Sequence, residues 1–352
     1  MSILYILIAI LLLGILVVAH EFGHFIAARL TGIEVTEFAV GFGPKLLSRK
    51  SGKTGTTFSL RAIPLGGFCA FYGEDDASGQ TKDDPRAYNK QSVWKRMFTV
   101  LMGPMMNFIL AFVVAVVYVF CVGVADVEPY LGSVEANSPA AQAGLQPLDV
   151  ICEVNGVNVL DGTLNKLLEA IDGPDELMLT VRRDGETLTI PCTPFWDAEG
   201  GQYRIGIGIQ SRSLGTTHPV SLLTAIRQSW DTCVYAGGII LKAIGGLITR
   251  GEGFEQTSGP VGVVSIVSQE VRAYGLDAFF NLLVVISINL GIMNLLPIPG
   301  LDGSRFLFMV AEAIRRKPVP QEKEAMVHLV GMLFLFSLMI FFTFRDVMKL
   351  FL

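Results

Sequence analysis

The sequence predicts a membrane protein of four transmembrane helices, with one soluble mixed α/β domain inserted between the second and third. Three observations support this fold class. Only 17% of the 352 residues are charged, against roughly 25% in an ordinary soluble domain. Four apolar segments are long enough to cross a hydrocarbon core about 30 Å thick. Residues 126–212 differ from the rest, because short alternating runs, turn pairs and many charged residues replace the long apolar segments.

The first predicted span begins at Ile3 and continues through His20 to a stop near Gly32. The other predicted spans are Phe98–Val124, Ala278–Leu296 and Ala325–Phe344. The segment Thr232–Ile248 is apolar and rich in glycine but contains Lys242. We therefore predict that it is an amphipathic helix at the membrane interface. If it crossed the membrane instead, the third span would reverse its direction.

Basic residues indicate how the spans are oriented. Residues 31–96 hold ten Lys and Arg and the loop 315–323 holds four, whereas residues 126–277 hold nine basic and nineteen acidic residues. The positive-inside rule therefore predicts that both basic loops are cytoplasmic and that the inserted domain and both termini lie outside. The formal net charge of -5 argues against a nucleic-acid partner. The predicted parts of the chain are 1–125, 126–212, 213–277 and 278–352.

The motif with the most specific chemistry is His20-Glu21-Phe22-Gly23-His24, an H-E-x-x-H pattern inside the first apolar segment. The i, i+4 spacing places both imidazoles on one face of a helix, where they can share a metal ion. Glu21 follows about 100° round the helix and can take a proton from water at the metal. The alternative is that these side chains only mark the exit of the helix into water. The cost of three ionisable groups on an apolar helix favours a functional site.

A catalytic zinc site needs a third protein ligand. His218 follows the inserted domain and His328 lies within the fourth span, so neither is well placed. Asp302 is the better candidate because it ends the segment Asn294–Gly303, in which two prolines and two glycines break the helix. Irregular backbone at membrane depth is tolerated where it lines a polar cavity. The alternative for Asp302 is a helix-capping role at the membrane edge.

Together these features resemble the site-2 protease family of intramembrane metalloproteases, and most closely its bacterial regulator of sigma-E protease type. The resemblance extends over nearly the whole chain. Besides the H-E-x-x-H motif, the segments that carry it are Gly41–Pro44, Ile63–Phe68, Gly103–Asn107, Ser258–Val261 and Asn294–Gly303. The resemblance implies that His20, His24 and Asp302 bind Zn²⁺ and that Glu21 is the catalytic base.

The same resemblance implies where substrate binds. Ile63–Phe68 is similar to the membrane-re-entrant β-hairpin of the family, which puts Gly66 and Gly67 beside the substrate. Asn294 and Asn289 match two family asparagines that lie near the substrate backbone. For both asparagines the alternative is a hydrogen bond to a neighbouring helix.

The inserted domain resembles a single PDZ domain. The stretches Gly132–Leu145 and Asp149–Gly156 carry this resemblance. Leu148 stands where the family usually has glycine. The nearest equivalent of the carboxylate-binding loop is Tyr130–Gly132, which departs from the family pattern. Both departures argue against conventional capture of peptide C-termini.

The resemblance implies an intramembrane zinc endopeptidase in the bacterial inner membrane, with its active site near the cytoplasmic side. Its expected substrates are single-span proteins of the bilayer, such as anti-sigma factors and signal peptide remnants. An upstream protease of the site-1 type would cut them first. Two other classes of protein fit the sequence less well. A transporter or channel predicts more spans and repeated halves, neither of which the sequence contains. An inactive scaffold that presents its PDZ domain would not need Glu21.

Overall fold

A computed structural model describes residues 3–74, 81, 84–159, 173–198, 202–251, 253 and 257–351. The chain divides into two compact units, of which the second is Phe120–Ser221 and the first is the remainder. The described α-helices are α1 (Ile3–Thr31), α2 (Val93–Val122), α3 (Pro139–Ala143), α4 (Leu222–Arg250), α5 (Pro260–Tyr274), α6 (Leu276–Leu295), α7 (Asp302–Arg315) and α8 (Gln321–Phe351). The described strands are β1 (Val35–Lys50), β2 (Thr57–Phe71), β3 (Val124–Val134), β4 (Val150–Val154), β5 (Val157–Asn158), β6 (Leu177–Arg183), β7 (Glu186–Cys192), β8 (Phe195–Asp197), β9 (Gln202–Arg204) and β10 (Ile207–His218).

Five of the described helices are long and apolar enough to cross a membrane, against the four predicted. Helices α1, α2, α6 and α8 correspond to the four predicted spans. The fifth is α4, which begins ten residues before the predicted interfacial segment Thr232–Ile248 and ends two residues after it. The chain is therefore a multi-pass membrane protein. The predicted number of four spans is one fewer than the number of described helices that could cross a membrane.

The helices of the first unit pack through a stripe of small and aliphatic residues. Ala9, Leu12 and Leu16 follow one face of α1 and are almost completely buried. Val267 and Val271 of α5 pack against this stripe and are also buried. The spacing of three and four residues explains why these side chains share one face.

Strands β1 and β2 form an antiparallel sheet that differs from the predicted hairpin. A hairpin at Ile63–Phe68 predicts that the residues before this segment pair with the residues after it. Instead, Val35–Val40 of β1 lies between the two arms of β2 and pairs with both. Val35–Val40 is therefore a central strand that is paired along both of its edges.

The second unit holds an antiparallel sheet whose strands run in the order β10-β3-β4-β6-β7, with β5 paired to β4. Ser138 caps the N-terminus of α3 by accepting a hydrogen bond from the N–H of Ala141. Asp149 is 1% exposed and accepts two hydrogen bonds of 2.6 Å from the Arg183 guanidinium. Residues 160–172 of the predicted PDZ domain lie outside the described residues.

Leu148 is the position where the PDZ family usually has glycine, and its φ of 75° lies in the left-handed region. This conformation costs a residue with a β-carbon about 1–2 kcal/mol, whereas glycine loses about 0.5–1 kcal/mol through its freer unfolded chain. The Leu148 side chain is 70% exposed, so little packing is lost on its removal. We expect Leu148→Gly to stabilise the second unit by up to about 1 kcal/mol.

Amide hydrogen exchange of β4 and β6 in the full-length protein measures this change. The control is Leu145→Gly, which empties a 4% exposed core position and should destabilise the unit by about 2–5 kcal/mol. Faster exchange in Leu148→Gly than in the wild type would contradict the strain argument.

Candidate metal centre

The described residues bring two histidines and one aspartate from distant parts of the chain into one group. His20 and His24 lie one turn apart on α1, and Asp302 is the first residue of α7. Asp302 Oδ2 is 3.0 Å from His20 Nε2 and 3.2 Å from His24 Nε2. One candidate ligand atom from each residue lies within 4.8 Å of the other two.

The geometry of this group fits a metal ion. Zinc bonds of about 2.1 Å in a tetrahedral site place ligand atoms about 3.4 Å apart, close to the two observed distances. Asp302 makes no capping hydrogen bond, since the N-cap position of α7 is Leu301. Within the described residues, the buried Oδ2 of Asp302 has no hydrogen-bond donor assigned to it. A carboxylate oxygen and two imidazole nitrogens that face one another at these distances can hold a shared metal ion.

The break between α6 and α7 delivers Asp302 to the histidines. Gly300 has a φ of 99°, which only glycine adopts without strain. A β-carbon on Gly303 would lie 2.3 Å from the carbonyl oxygen of Leu295. The first turn of α7 therefore packs directly on the end of α6, and the two glycines make this turn feasible.

Two further glycines let α1 and α2 approach at the level of the histidines. A β-carbon on Gly23 would lie 2.0 Å from the carbonyl oxygen of Met102, and one on Gly103 would lie 2.3 Å from the His24 ring. Neither position can accept a larger side chain without separating the helices. The helix pair is thus packed backbone to backbone where the metal group forms, as small residues allow inside membranes.

Helix α2 also supplies a hydrogen-bond partner for each imidazole. His24 Nδ1 donates to the carbonyl oxygen of Thr99 over 2.9 Å, which leaves Nε2 with its lone pair. The side-chain amide of Asn107 lies 3.1 Å from His20 Nδ1. Asn107 is fully buried, and its amide nitrogen faces the ring while its amide oxygen has no partner among the described residues. With the oxygen turned toward the ring, Asn107 accepts the Nδ1 proton and leaves Nε2 of His20 free for a metal.

The sequence interpretation gave Asn107 no role. The sequence feature that could have indicated a role is the polar amide side chain of Asn107, which lies in the apolar segment of the second predicted span. Polar residues inside transmembrane helices are costly and commonly functional. Ser287 of α6 adds to the same network by donating to the main-chain oxygen of Asn107 over 2.7 Å.

The sheet of the first unit lies beside Glu21. A β-carbon on Gly67 would lie 3.3 Å from Cγ of Glu21. The main-chain N–H of Cys69 donates a hydrogen bond to the Glu21 carboxylate. Gly66, with a φ of 97°, directly precedes the second arm of β2, which begins at Gly67, and lies against the Phe42 ring. Both glycines predicted to be near the substrate are thus in the segment that reaches the glutamate.

The two predicted asparagines of α6 have different environments. Asn294 is half-buried, and its amide nitrogen donates to the main-chain oxygen of Leu290 over 3.0 Å. Asn289 is exposed on the surface of α6. The structure does not bring either side chain into the His20, His24 and Asp302 group, so a substrate-binding role for them stays a prediction.

The contact between Asn107 and His20 generates a test. Asn107→Ala should weaken zinc binding by about 10- to 100-fold, because the acceptor that orients His20 is removed. Asn107→Asp keeps an acceptor oxygen and should restore most of the affinity. Competition with a chelator of known affinity measures the zinc dissociation constant directly.

Thr99→Val is the matched control, because it keeps the main-chain oxygen that receives the His24 proton. Among the described residues, the Thr99 hydroxyl donates only to the main-chain oxygen of Lys95, within α2. Equal loss of zinc in Asn107→Ala and Asn107→Asp, or a similar loss in Thr99→Val, would show that the effect is one of packing and not of imidazole orientation.

Comparison with known proteins identifies the family of this chain. The model of peptidase family M50 matches residues 8–338. The regulator of sigma-W protease RasP of Bacillus subtilis is 33% identical over 97% of this chain and 98% of its own length. The zinc metalloprotease RasP of Bacillus licheniformis is 33% identical over the same shares of the two chains. The chain therefore belongs to peptidase family M50, the site-2 protease family, and is a zinc metalloprotease.

Proposed function

We propose that this metalloprotease cleaves transmembrane segments of single-span membrane proteins. The observation that carries the proposal is the position of the His-His-Asp group on an apolar helix. His20 lies about 26 Å along α1 from Ile3, at about 1.5 Å per residue, and α1 continues to Thr31. A peptide bond can reach this group only within or at the edge of the bilayer.

In this proposal His20, His24 and Asp302 hold zinc, and Glu21 is the general base. A bound zinc ion supplies Lewis-acid activation of water at neutral pH. Glu21 takes a proton from the attacking water and returns it to the leaving amine. Thr99 and Asn107 keep the Nε2 atoms of the two imidazoles directed at the third ligand.

A helical substrate must unwind before it can be cut, because each carbonyl of a transmembrane helix is already hydrogen-bonded. Its freed backbone groups are costly in lipid unless they are bonded again. We propose that the strand Gly67–Phe71 provides these bonds by β-augmentation. It pairs with β1 along one edge, and among the described residues no strand pairs with its other edge. The Cys69 N–H that donates to Glu21 supports the assignment of that open edge to the catalytic side.

The asparagines of α6 fit the same proposal. Because the amide nitrogen of Asn294 is used within α6, its oxygen is the atom proposed to accept a substrate N–H. Asn289 is exposed and is proposed to contact the substrate farther along the helix. With Gly66 and Gly67, they form the proposed substrate-binding set.

We propose four spans, with α4 making no net crossing. Helices α1 and α6 both run toward the metal group, and α2 returns between them, so the chain from α2 to α6 must cross an even number of times. Asp346 near the end of α8 accepts hydrogen bonds of 2.8 Å from the N–H groups of Gly259 and Gly262. Met332, which contacts Gly300, precedes Asp346 by about 21 Å of helix. These contacts support a start of α5 on the side away from the metal group.

The proposed location is the bacterial inner membrane, with the metal group near the cytoplasmic side and residues 126–212 outside. The Lys and Arg asymmetry supports this orientation. We propose that Phe120–Ser221 is a PDZ domain that limits which substrates reach the membrane unit. The capped helix α3 and its flanking strands support this assignment, since they lie in the segment that resembles the family.

The relatives indicate a substrate class. RasP of Bacillus subtilis is named as a regulator of sigma-W. We therefore propose anti-sigma factors, together with signal peptide remnants, as substrates of this chain. A first cut outside the membrane by a site-1 type protease would precede cleavage, because a large outer domain would hinder access to a buried site.

Glu21→Gln tests the catalytic assignment. The variant should keep bound zinc and lose at least about 100-fold in the cleavage rate of a purified single-span substrate, since the base is removed while the ligands remain. The control is Glu34→Gln, which changes an exposed glutamate outside the H-E-x-x-H motif. This variant should cleave the substrate at the normal rate. Loss of zinc together with activity would mean that Glu21 is a ligand and not the base.

Substitutions in the substrate test the unwinding step. Each Ala→Gly change within one turn of the cut should raise the cleavage rate about fivefold, because glycine costs a helix about 1 kcal/mol relative to alanine. The same change three turns away is the control and should have little effect. Equal rates for both positions would exclude local unwinding as a determinant of cleavage.

Cysteine labelling tests the orientation. An impermeant thiol reagent should label Asp184→Cys from outside intact cells and should reach Lys53→Cys only after the cells are opened. Both positions are exposed and lie in turns between strands. The reverse pattern would overturn the proposed topology.

A further inference from the structure

An open cleft in the first unit lies where α2 begins and α7 ends, away from the metal group. It has a volume of about 700 Å³, within the range of about 300–1,000 Å³ common for small-molecule sites. Four cationic side chains line it, with Glu312 as the one carboxylate among the described lining residues. The cations are Lys90, Arg96, Arg316 and Lys317.

The cleft has one buried cation and an exposed cationic rim. Arg96 is 8% exposed, donates to the Gln91 main-chain oxygen over 3.2 Å and forms an ion pair with Glu312. This pair joins the start of α2 to the end of α7 and neutralises both of its members. The other three cations are exposed, so the cleft presents an excess of positive charge.

The cleft also lies at the N-terminal end of a helix that is long and apolar enough to cross a membrane. Helix α2 begins at Val93, a lining residue, and Trp94 beside it is 68% exposed. Tryptophan is enriched at the membrane interface, where lipid phosphates lie. Ile314, next to the lining residue Ala313, is 78% exposed and adds apolar surface beside the cleft.

We propose that this cleft binds the phosphate headgroup of an anionic phospholipid such as phosphatidylglycerol. Basic pockets between membrane helices bind such headgroups, and each Lys or Arg near the surface contributes about 1 kcal/mol. Lys90, Arg316 and Lys317 contact the phosphate, while the Arg96–Glu312 pair keeps the two helix ends together. The cleft thereby links the loop before α2 to the helix that begins with Asp302. The inference depends on α2 as a membrane helix and not on the proposed substrates.

Native mass spectrometry of the full-length zinc enzyme tests the proposal. With phosphatidylglycerol added, the wild type should retain bound lipid, and with phosphatidylcholine it should not. The triple variant K90Q/R316Q/K317Q should bind phosphatidylglycerol on the order of 100-fold more weakly. The variant K90R/R316K/K317R keeps the charges and should retain most of the affinity.

The matched control is R49Q/K50Q/K53Q, which removes three exposed charges from the first unit outside the cleft. It should bind lipid as the wild type does. Equal binding by both Gln variants, or equal loss in both, would overturn the site. If millimolar inorganic phosphate displaces the lipid from the wild type, the cleft is a site for free phosphate and the lipid assignment is wrong.

Discussion

The contact of one carboxylate with two imidazoles determines the rest of the membrane unit. Asp302 Oδ2 lies within 3.2 Å of Nε2 of both His20 and His24, although 278 residues separate His24 from Asp302 along the chain. A charged oxygen in apolar surroundings is unfavourable unless it is paired or binds a metal. The fold must therefore hold α1 and the start of α7 close enough for one cation to contact all three candidate ligands. Helix α2 packs beside them.

Glycine contacts and main-chain carbonyls provide that support. Gly23 and Gly103 let α1 and α2 touch through their backbones, and Gly303 seats α7 on the end of α6. The carbonyl of Thr99 and the amide of Asn107 then fix the two imidazoles. Helix α2 thus orients the candidate ligands without supplying one. Close backbone packing and hydrogen bonds to each imidazole suit chemistry that requires ligands within about 0.5 Å of their working positions.

The candidate ligands could be predicted from local sequence patterns, whereas the contacts that surround them could not. The H-E-x-x-H spacing and the broken segment before Asp302 identify the candidate ligands because helical periodicity and helix breakers are local properties. The contact of Asn107 with His20 spans 87 residues and depends on how two helices are rotated against each other, which no local pattern specifies. The same reason applies to Val35–Val40, whose position between the arms of β2 depends on pairing between distant segments. The composition of α4 fits both an interfacial and a crossing helix, so the sequence could not fix the number of spans.

Zinc K-edge X-ray absorption of the purified full-length enzyme tests the central claim most directly. The account predicts one zinc per chain, with two imidazole ligands and light oxygen scatterers at about 2.0–2.2 Å. It also predicts loss of an oxygen scatterer and of most bound zinc in Asp302→Ala. Sulfur scattering at about 2.3 Å, which would implicate a cysteine such as Cys69, or an unchanged spectrum in Asp302→Ala would contradict it.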